Sequence, residues 1–219
     1  MLDGVILNPS LERQIRGISY AVLNRKKHFA PFRNLLFHGP PGTGKTLFAK
    51  KLALRSGMDY CIITGADLAP MANQAVLELN NMFDWAEKTK GGMILFIDEA
   101  DAFLRKRKGG DPISENLRNC INAFLYRTGT QTDKFMLVLA TNNPESLDEA
   151  VYDRLDEMVH FTHPGQEERE NLLFMYFTQY CKDIKTTYEK FRFLLKNPRT
   201  LVTGKKLVRM DEEIDAAYI

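Results

Sequence analysis

Gly39-Pro40-Pro41-Gly42-Thr43-Gly44-Lys45-Thr46 fills every fixed position of the pattern G-x-x-x-x-G-K-[ST]. A short apolar run, Asn34-Leu35-Leu36-Phe37-His38, precedes it, and a helix-favouring stretch from Leu47 to Ser56 follows. That passage from strand to loop to helix is the context the pattern requires. Glycines at 39, 42 and 44 permit backbone shapes that a Cβ would block. Their N–H groups can turn inward around phosphate oxygens, with the start of the helix adding positive potential. The nucleotide cradle is expected to run from Gly39 through Pro40, Pro41, Gly42, Thr43, Gly44, Lys45 and Thr46 to Leu47. Lys45 would reach the β- and γ-phosphates, and the Thr46 hydroxyl would hold Mg²⁺. The fixed positions alone arise by chance in roughly one chain in a hundred of this length, so a second element is needed.

Residues 93–99 supply it. Met93-Ile94-Leu95-Phe96-Ile97-Asp98-Glu99 is an apolar run ending in two carboxylates. It has the form of a buried parallel strand whose C-terminal end faces a ligand crevice. Asp98 is expected to hold Mg²⁺, and Glu99 to orient and polarise the attacking water. An acidic pair at a strand end says little alone; following a phosphate loop it is a strong sign of nucleotide hydrolysis.

The 219 residues leave room for one α/β domain and a smaller appendage. A hydrophobic content of 44% suffices for a packed core, and a net charge of +2 gives no electrostatic pointer to nucleic acid. Cys61, Cys120 and Cys181 lie far apart, without metal-ligand spacing or a disulfide framework; the simplest expectation is three buried thiols in a reducing compartment. No apolar run is long enough to span a bilayer, and Met1-Leu2-Asp3-Gly4 has no targeting character. Any membrane or organelle address is expected outside this stretch.

Along the chain, Asn8-Pro9-Ser10-Leu11-Glu12 opens a helix over 8–29 with Ser10 as its N-cap, and Ile15, Ile18, Ala21 and Val22 recur at helical spacing. Strands are predicted at 35–38, 60–64, 93–98, 135–141 and 158–161, and helices at 75–89, 114–127 and 166–181. The helix over 75–89 carries Val76, Leu79, Met82, Phe83 and Ala86 on one face, with Trp85 as core or a subunit contact; that over 114–127 points Leu117, Ile121, Phe124 and Leu125 inward. Alternating strands and helices predict a parallel sheet covered on both faces, a three-layer α/β sandwich of the P-loop NTPase type.

The fourth strand runs into Thr141-Asn142-Asn143-Pro144. This is ordinary turn chemistry, and the turn would place Asn142 to bond the γ-phosphate or the attacking water. Further on, Arg154 lies in Tyr152-Asp153-Arg154-Leu155-Asp156-Glu157. Position alone favours a surface salt bridge; the alternative is an arginine finger, worth about three to five powers of ten in rate.

Taken in order and spacing, Gly39–Thr46, Ile94–Glu99, Leu139–Asn142 and Asp148–Glu157 resemble an AAA+ ATPase of the AAA subfamily, over about residues 3–180. The segments between them, Thr46 to Tyr60, Phe96 to Arg107, Asn122 to Gly129 and Asp156 to Phe161, resemble a mitochondrial inner-membrane branch of that family. The resemblance implies a homo-oligomeric, hexameric ring, a five-stranded sheet in the order 5-1-4-3-2 and a small helical lid. It implies that Arg154 completes the neighbouring subunit's site, which shifts its reading from salt bridge to finger. It also implies a role on the inner-membrane or matrix side, in membrane and nucleoid organisation, with protein or membrane-associated partners of unknown identity.

Three departures stand out. The loop Asp67 to Gln74 has Met71 where threading AAA proteins carry an aromatic residue, although a thioether can still grip an apolar chain. The second finger position is Glu157, leaving Arg154 alone. After Phe193 no Gly-x-x-Gly lid segment follows, so residues 1–165 are expected to form the nucleotide-binding core and 166–219 an incomplete or divergent lid. An incomplete lid raises an alternative to hydrolysis, an ATP-dependent assembly module with little turnover. A GTPase reading lacks an Asn-Lys-x-Asp segment after strand four. The basic run Arg105-Lys106-Arg107-Lys108 is read as a solvated turn, with a pore or anionic-lipid contact as the alternative. His160 and His163 lack a third ligand, so zinc is not expected.

Overall fold

The computed structural model describes residues 6–28, 30–68, 71, 73–106 and 115–180. The chain divides into two compact units, residues 1–163 and 164–219. In the first, five strands, β1 (Leu35–His38), β2 (Asp59–Thr64), β3 (Met93–Asp98), β4 (Phe135–Thr141) and β5 (Glu157–His160), form one sheet in the order β2-β3-β4-β1-β5. Every pairing is parallel. This is the sheet order implied by the family resemblance.

The strands read as continuous apolar runs because both faces are covered, and their period of two divides them between two cores. Met93, Leu95 and Ile97 of β3, Phe135, Leu137 and Leu139 of β4 and Leu36 of β1 point to one side. There they meet Leu79, Phe83 and Ala86 of α4 (Asn73–Lys88) and Ile121 and Phe124 of α5 (Glu115–Arg127). The alternate residues Ile94, Phe96, Met136, Val138, Ala140, Leu35 and Phe37 point to the other side. Their partners are Leu11, Ile15 and Ile18 of α1 (Pro9–His28) and Phe48, Ala49, Leu52 and Ala53 of α2 (Lys45–Ser56). Tilted aromatic contacts fill both layers: Phe37 packs on Phe48 and Phe161, and Phe83 on Phe124 and Phe135.

Helix boundaries follow local chemistry. The N-cap of α1 is Asn8 rather than Ser10. Its Oδ1 accepts from the Leu11 N–H at 2.9 Å and from the Ser10 hydroxyl at 2.8 Å, which places Pro9 at the first helical position. On α1, Ile15 and Ile18 are buried and Val22 packs half-buried against the same core, while Ala21 is exposed. Trp85 is 53% exposed and does not belong to the core; Phe83, two residues earlier, takes the buried position. On a helix, residues two apart diverge by about 200°, so both cannot face the sheet. Cys120 is buried and Cys61 half-buried, while Cys181, the Leu117 side chain, Arg107, Lys108 and the lid segment beyond Tyr180 lie outside the described residues. Among the described residues, this unit also contains short helices α3 (Gly65–Leu68) and α6 (Glu149–Tyr152) and 3₁₀ turns at Ala100–Ala102 and Pro144–Ser146. In the second unit, α7 spans Gln166–Tyr180. Among the described residues, no helix is long and apolar enough to cross a membrane.

Candidate nucleotide site

The sheet order brings distant segments to one point. Because β4 lies between β1 and β3, the residues leaving its C-terminal end sit between the loop after β1 and the carboxylates after β3. Gly39, Gly42 and Gly44 all adopt positive φ, at 141°, 75° and 95°. At Gly39 a second constraint applies, since a Cβ would come within 2.0 Å of the Phe161 carbonyl oxygen. Gly44 is the N-cap of α2 and provides no side-chain cap. The first N–H groups of α2 are therefore free of the usual side-chain acceptor, as suits an anion.

Lys45 is buried at 7% exposure. Its Nζ donates to the Gly39 carbonyl at 2.8 Å, the Pro40 carbonyl at 2.9 Å and Asn142 Oδ1 at 2.9 Å. Burial lowers its pKa, and the nearby Asp98 carboxylate partly opposes that shift. Thr43 Oγ1 donates to the Pro40 carbonyl and stiffens the loop. The Thr46 hydroxyl donates to Asp98 Oδ2 at 2.7 Å, and Asp98 Oδ1 accepts from the Glu99 N–H at 3.0 Å. Pro41 and Leu47 are exposed at the rim.

Glu99 is exposed, with φ 49° and ψ 43°. It is the one non-glycine residue at positive φ among the described residues, a conformation that costs about 1–2 kcal/mol. The Ala102 N–H bonds its carbonyl at 2.9 Å, and a Cβ on Gly65 would meet that oxygen at 2.4 Å. Lys45 has only hydrogens to donate, so its bond to Asn142 Oδ1 leaves the Asn142 amide N–H₂ directed elsewhere. The residues fit a magnesium-bound triphosphate: a buried ammonium, an uncapped helix start, and a hydroxyl and carboxylate already in contact.

Arg154 is not part of this constellation. Its carbonyl accepts from Asn34 Nδ2 at 2.9 Å. Asn34 lies before β1, whereas the phosphate loop lies after it. The Arg154 backbone therefore sits at the opposite end of the strand, about 13 Å away at ~3.3 Å per residue. Its Nε is buried without a hydrogen-bond partner. Glu157 is held within the chain by Arg33 at 3.3 Å and Gln14 at 2.9 Å. Met71 is exposed, at 42%.

Two features of the site were not singled out in the sequence. Asp101 accepts from the Thr141 hydroxyl at 2.7 Å; its position three residues after Asp98 was the available signal. His38 stacks on His160 with ring centroids 4.7 Å apart and planes within 5°. That pairing follows from the β1–β5 register, which sets His38 opposite His160.

A parallel sheet in this order, with a glycine loop between β1 and an uncapped helix, defines a P-loop nucleotide-binding domain. The chain belongs to the AAA family: residues 35–163 match the family model described as "ATPase family associated with various cellular activities (AAA)". Over 179 residues it is 60% identical to human "ATPase family AAA domain-containing protein 3A", 59% to "ATPase family AAA domain-containing protein 3" of Xenopus tropicalis and 58% to "ATPase family AAA domain-containing protein 3A homolog" of Drosophila melanogaster. Each match covers 82% of this chain and 30% of the relative, so the chain spans about a third of the length of these relatives.

Proposed function

We propose that this domain binds ATP with Mg²⁺ and hydrolyses it within a homo-oligomeric ring. The observation that carries the reading is the junction of Lys45, Asn142, Thr46 and Asp98, which draws the ends of β1, β4 and β3 together at the start of α2. Mg·ATP, when bound, supplies the phosphoanhydride bond and the charge that grows as it breaks. Catalysis is then positioning and electrostatics. Lys45 offsets phosphate charge from a desolvated site, where its field is least screened. Thr46 and Asp98 hold magnesium through their oxygens. The Glu99 carboxylate orients the attacking water and takes its proton, while the Asn142 amide N–H₂ bonds that water or the phosphate. The loop from Gly39 to Leu47 binds the phosphates through backbone N–H groups.

Arg154 acts in trans. Its backbone lies at the far end of β1 from its own phosphate loop, so the guanidinium serves a neighbouring subunit's nucleotide rather than its own. A hexamer places such a finger at every interface. Residues 1–165 form the nucleotide-binding core and 166–219 begin the lid. The names of the relatives say only that they carry AAA domains; the mitochondrial inner-membrane and nucleoid setting rests on the resemblance noted in the sequence.

The test is steady-state ATPase rate against protein concentration for wild type, Glu99→Gln and Arg154→Ala. A rate per subunit that climbs with concentration and collapses in both variants is expected, with ATP binding retained in Glu99→Gln. Equal turnover in Glu99→Gln would sink the hydrolytic assignment. A flat, negligible wild-type rate with tight ATP binding would favour the assembly-module reading.

A further inference from the structure

A side-chain hydrogen bond braces the turn that carries Glu99 against the turn that carries Asn142. Thr141 is the last residue of β4 and is 1% exposed. Its Oγ1 donates to Asp101 Oδ1 at 2.7 Å and accepts from the Asn143 N–H at 3.0 Å. The two bonds depend on each other. An acceptor at Asp101 requires the hydroxyl hydrogen to point at it, which leaves the oxygen lone pairs for the Asn143 N–H. The Asn143 bond in turn sets the bend at which Asn142 leaves the strand, and Asn142 Oδ1 meets Lys45 Nζ. Asp101 belongs to the 3₁₀ turn capped by Glu99, so its carboxylate is anchored to the strained backbone that aims Glu99.

The same two segments are laced further along. The Lys106 N–H bonds the Ser146 carbonyl at 2.7 Å and the Asp148 N–H bonds the Leu104 carbonyl at 2.8 Å. Those backbone bonds tie residues 104–106 to 146–148, beside the buried side chains of Leu104 and Leu147. Close to the chemistry, between Glu99 and Asn142, the Asp101–Thr141 contact is a side-chain bond joining the two turns. On its other side Asp101 faces an open polar cleft shared with Arg105, Lys106, Asn143 and Glu145.

We propose that Asp101, acting through Thr141, is a positioning residue that sets the Asn142 amide against Lys45 and holds the Glu99 turn in register with it. Its consequence for turnover rests on the hydrolytic reading above; its consequence for Asn142 does not. Asp101 touches neither phosphate nor water in this scheme, so its loss leaves nucleotide affinity in place and lowers the rate of the chemical step.

The test compares Asp101→Ala, Asp101→Asn, Thr141→Val and Thr141→Ser in the full chain by three readouts. These are the ¹H–¹⁵N signals of the Asn142 side-chain amide and Asn143 backbone amide, the Kd for a fluorescent ADP analogue, and kcat for ATP. Asp101→Ala and Thr141→Val should move both amide signals and lower kcat about 10- to 100-fold, the scale of a misplaced catalytic group, with Kd within about threefold of wild type. Asp101→Asn and Thr141→Ser retain an acceptor and a donor and should restore both. The double variant Asp101→Ala/Thr141→Val should be no worse than either single change. Amide signals that stay at their wild-type positions in Asp101→Ala would overturn the proposal, as would equal impairment in Asp101→Asn or loss of Kd in step with kcat. A wild type without turnover whose Asn142 amide still responds to Asp101→Ala would remove the hydrolytic reading and leave the positioning role standing. Thermal unfolding of each variant identifies any that lose the fold, and the two conservative variants then decide the matter.

Discussion

Changing Lys45 to Met keeps the volume of a buried stem and removes its ammonium. In the unliganded domain two opposing terms result. Three hydrogen bonds at 2.8–2.9 Å disappear, each worth about 1.5–3 kcal/mol for a charged donor. Against this, an ammonium at 7% exposure no longer has to be desolvated, a relief of several kcal/mol. Burial also lowers the pKa of Lys45, the direction that this cost dictates. Near-cancellation follows, and the unliganded variant should lie within about 2 kcal/mol of wild type. Binding has no such compensation. Removing a unit charge about 4 Å from a phosphate oxygen forfeits about 4 kcal/mol at an effective dielectric constant of about 20, close to a thousandfold in affinity. Thermal unfolding with and without Mg·ATP reads both effects. At about a hundred times its Kd, ATP stabilises the wild type by about 2.7 kcal/mol, or about 5–11 °C in Tm for a domain of this size. At the same concentration the variant should move by less than about 1 °C. An undiminished nucleotide shift would refute the assignment of Lys45. A fall of more than about 10 °C without nucleotide would show that the ammonium holds the loop together rather than waiting for phosphate.

Gly39→Ala should be the most damaging small change in the loop. It combines φ 141° with a Cβ 2.0 Å from the Phe161 carbonyl, and a rigid backbone neighbour cannot yield. A loss of more than about 3 kcal/mol is expected, read as the urea midpoint, whereas a midpoint within error of wild type would contradict the close approach of β1 and β5. The His38–His160 stack predicts a pH dependence. The pKa of His38 is lowered, first by burial and then by the charges of His160 and Lys45, so the unfolded chain binds more protons than the folded one. Stability is fully present above the ordinary histidine value of 6.5 and falls as the pH drops from there toward the lower folded value. His38→Gln should flatten that limb of the unfolding profile, and an unchanged slope between pH 7 and 5 would assign it elsewhere.

Local chemistry made much of this protein legible. The glycine loop, the apolar run into Asp98-Glu99 and the periodicity of the helices are written in short segments, and five strands and their flanking helices follow from them within a residue or two. Buried parallel strands announce themselves because both faces must be apolar. Where local signals competed, packing decided. Asn8 rather than Ser10 caps α1, because its side chain reaches the Leu11 N–H. Trp85 stays outside, because Phe83 already fills the face of α4 that meets the sheet.

Residues far apart in the chain needed the sheet to meet. Periodicity predicts strands and says nothing of their order, and it is the place of β4 between β1 and β3 that sets Asn142 against Lys45 and Thr141 against Asp101, 97 and 40 residues apart. The chemistry on offer can be read residue by residue: an ammonium, a hydroxyl, two carboxylates and a glycine loop to hold phosphate. Which of these groups share a point in space, and which, like Arg154, are held at the far end of a strand, follows from the order of the strands. Hydrogen bonds that fix a site form across the sheet, at distances along the chain over which no local pattern persists.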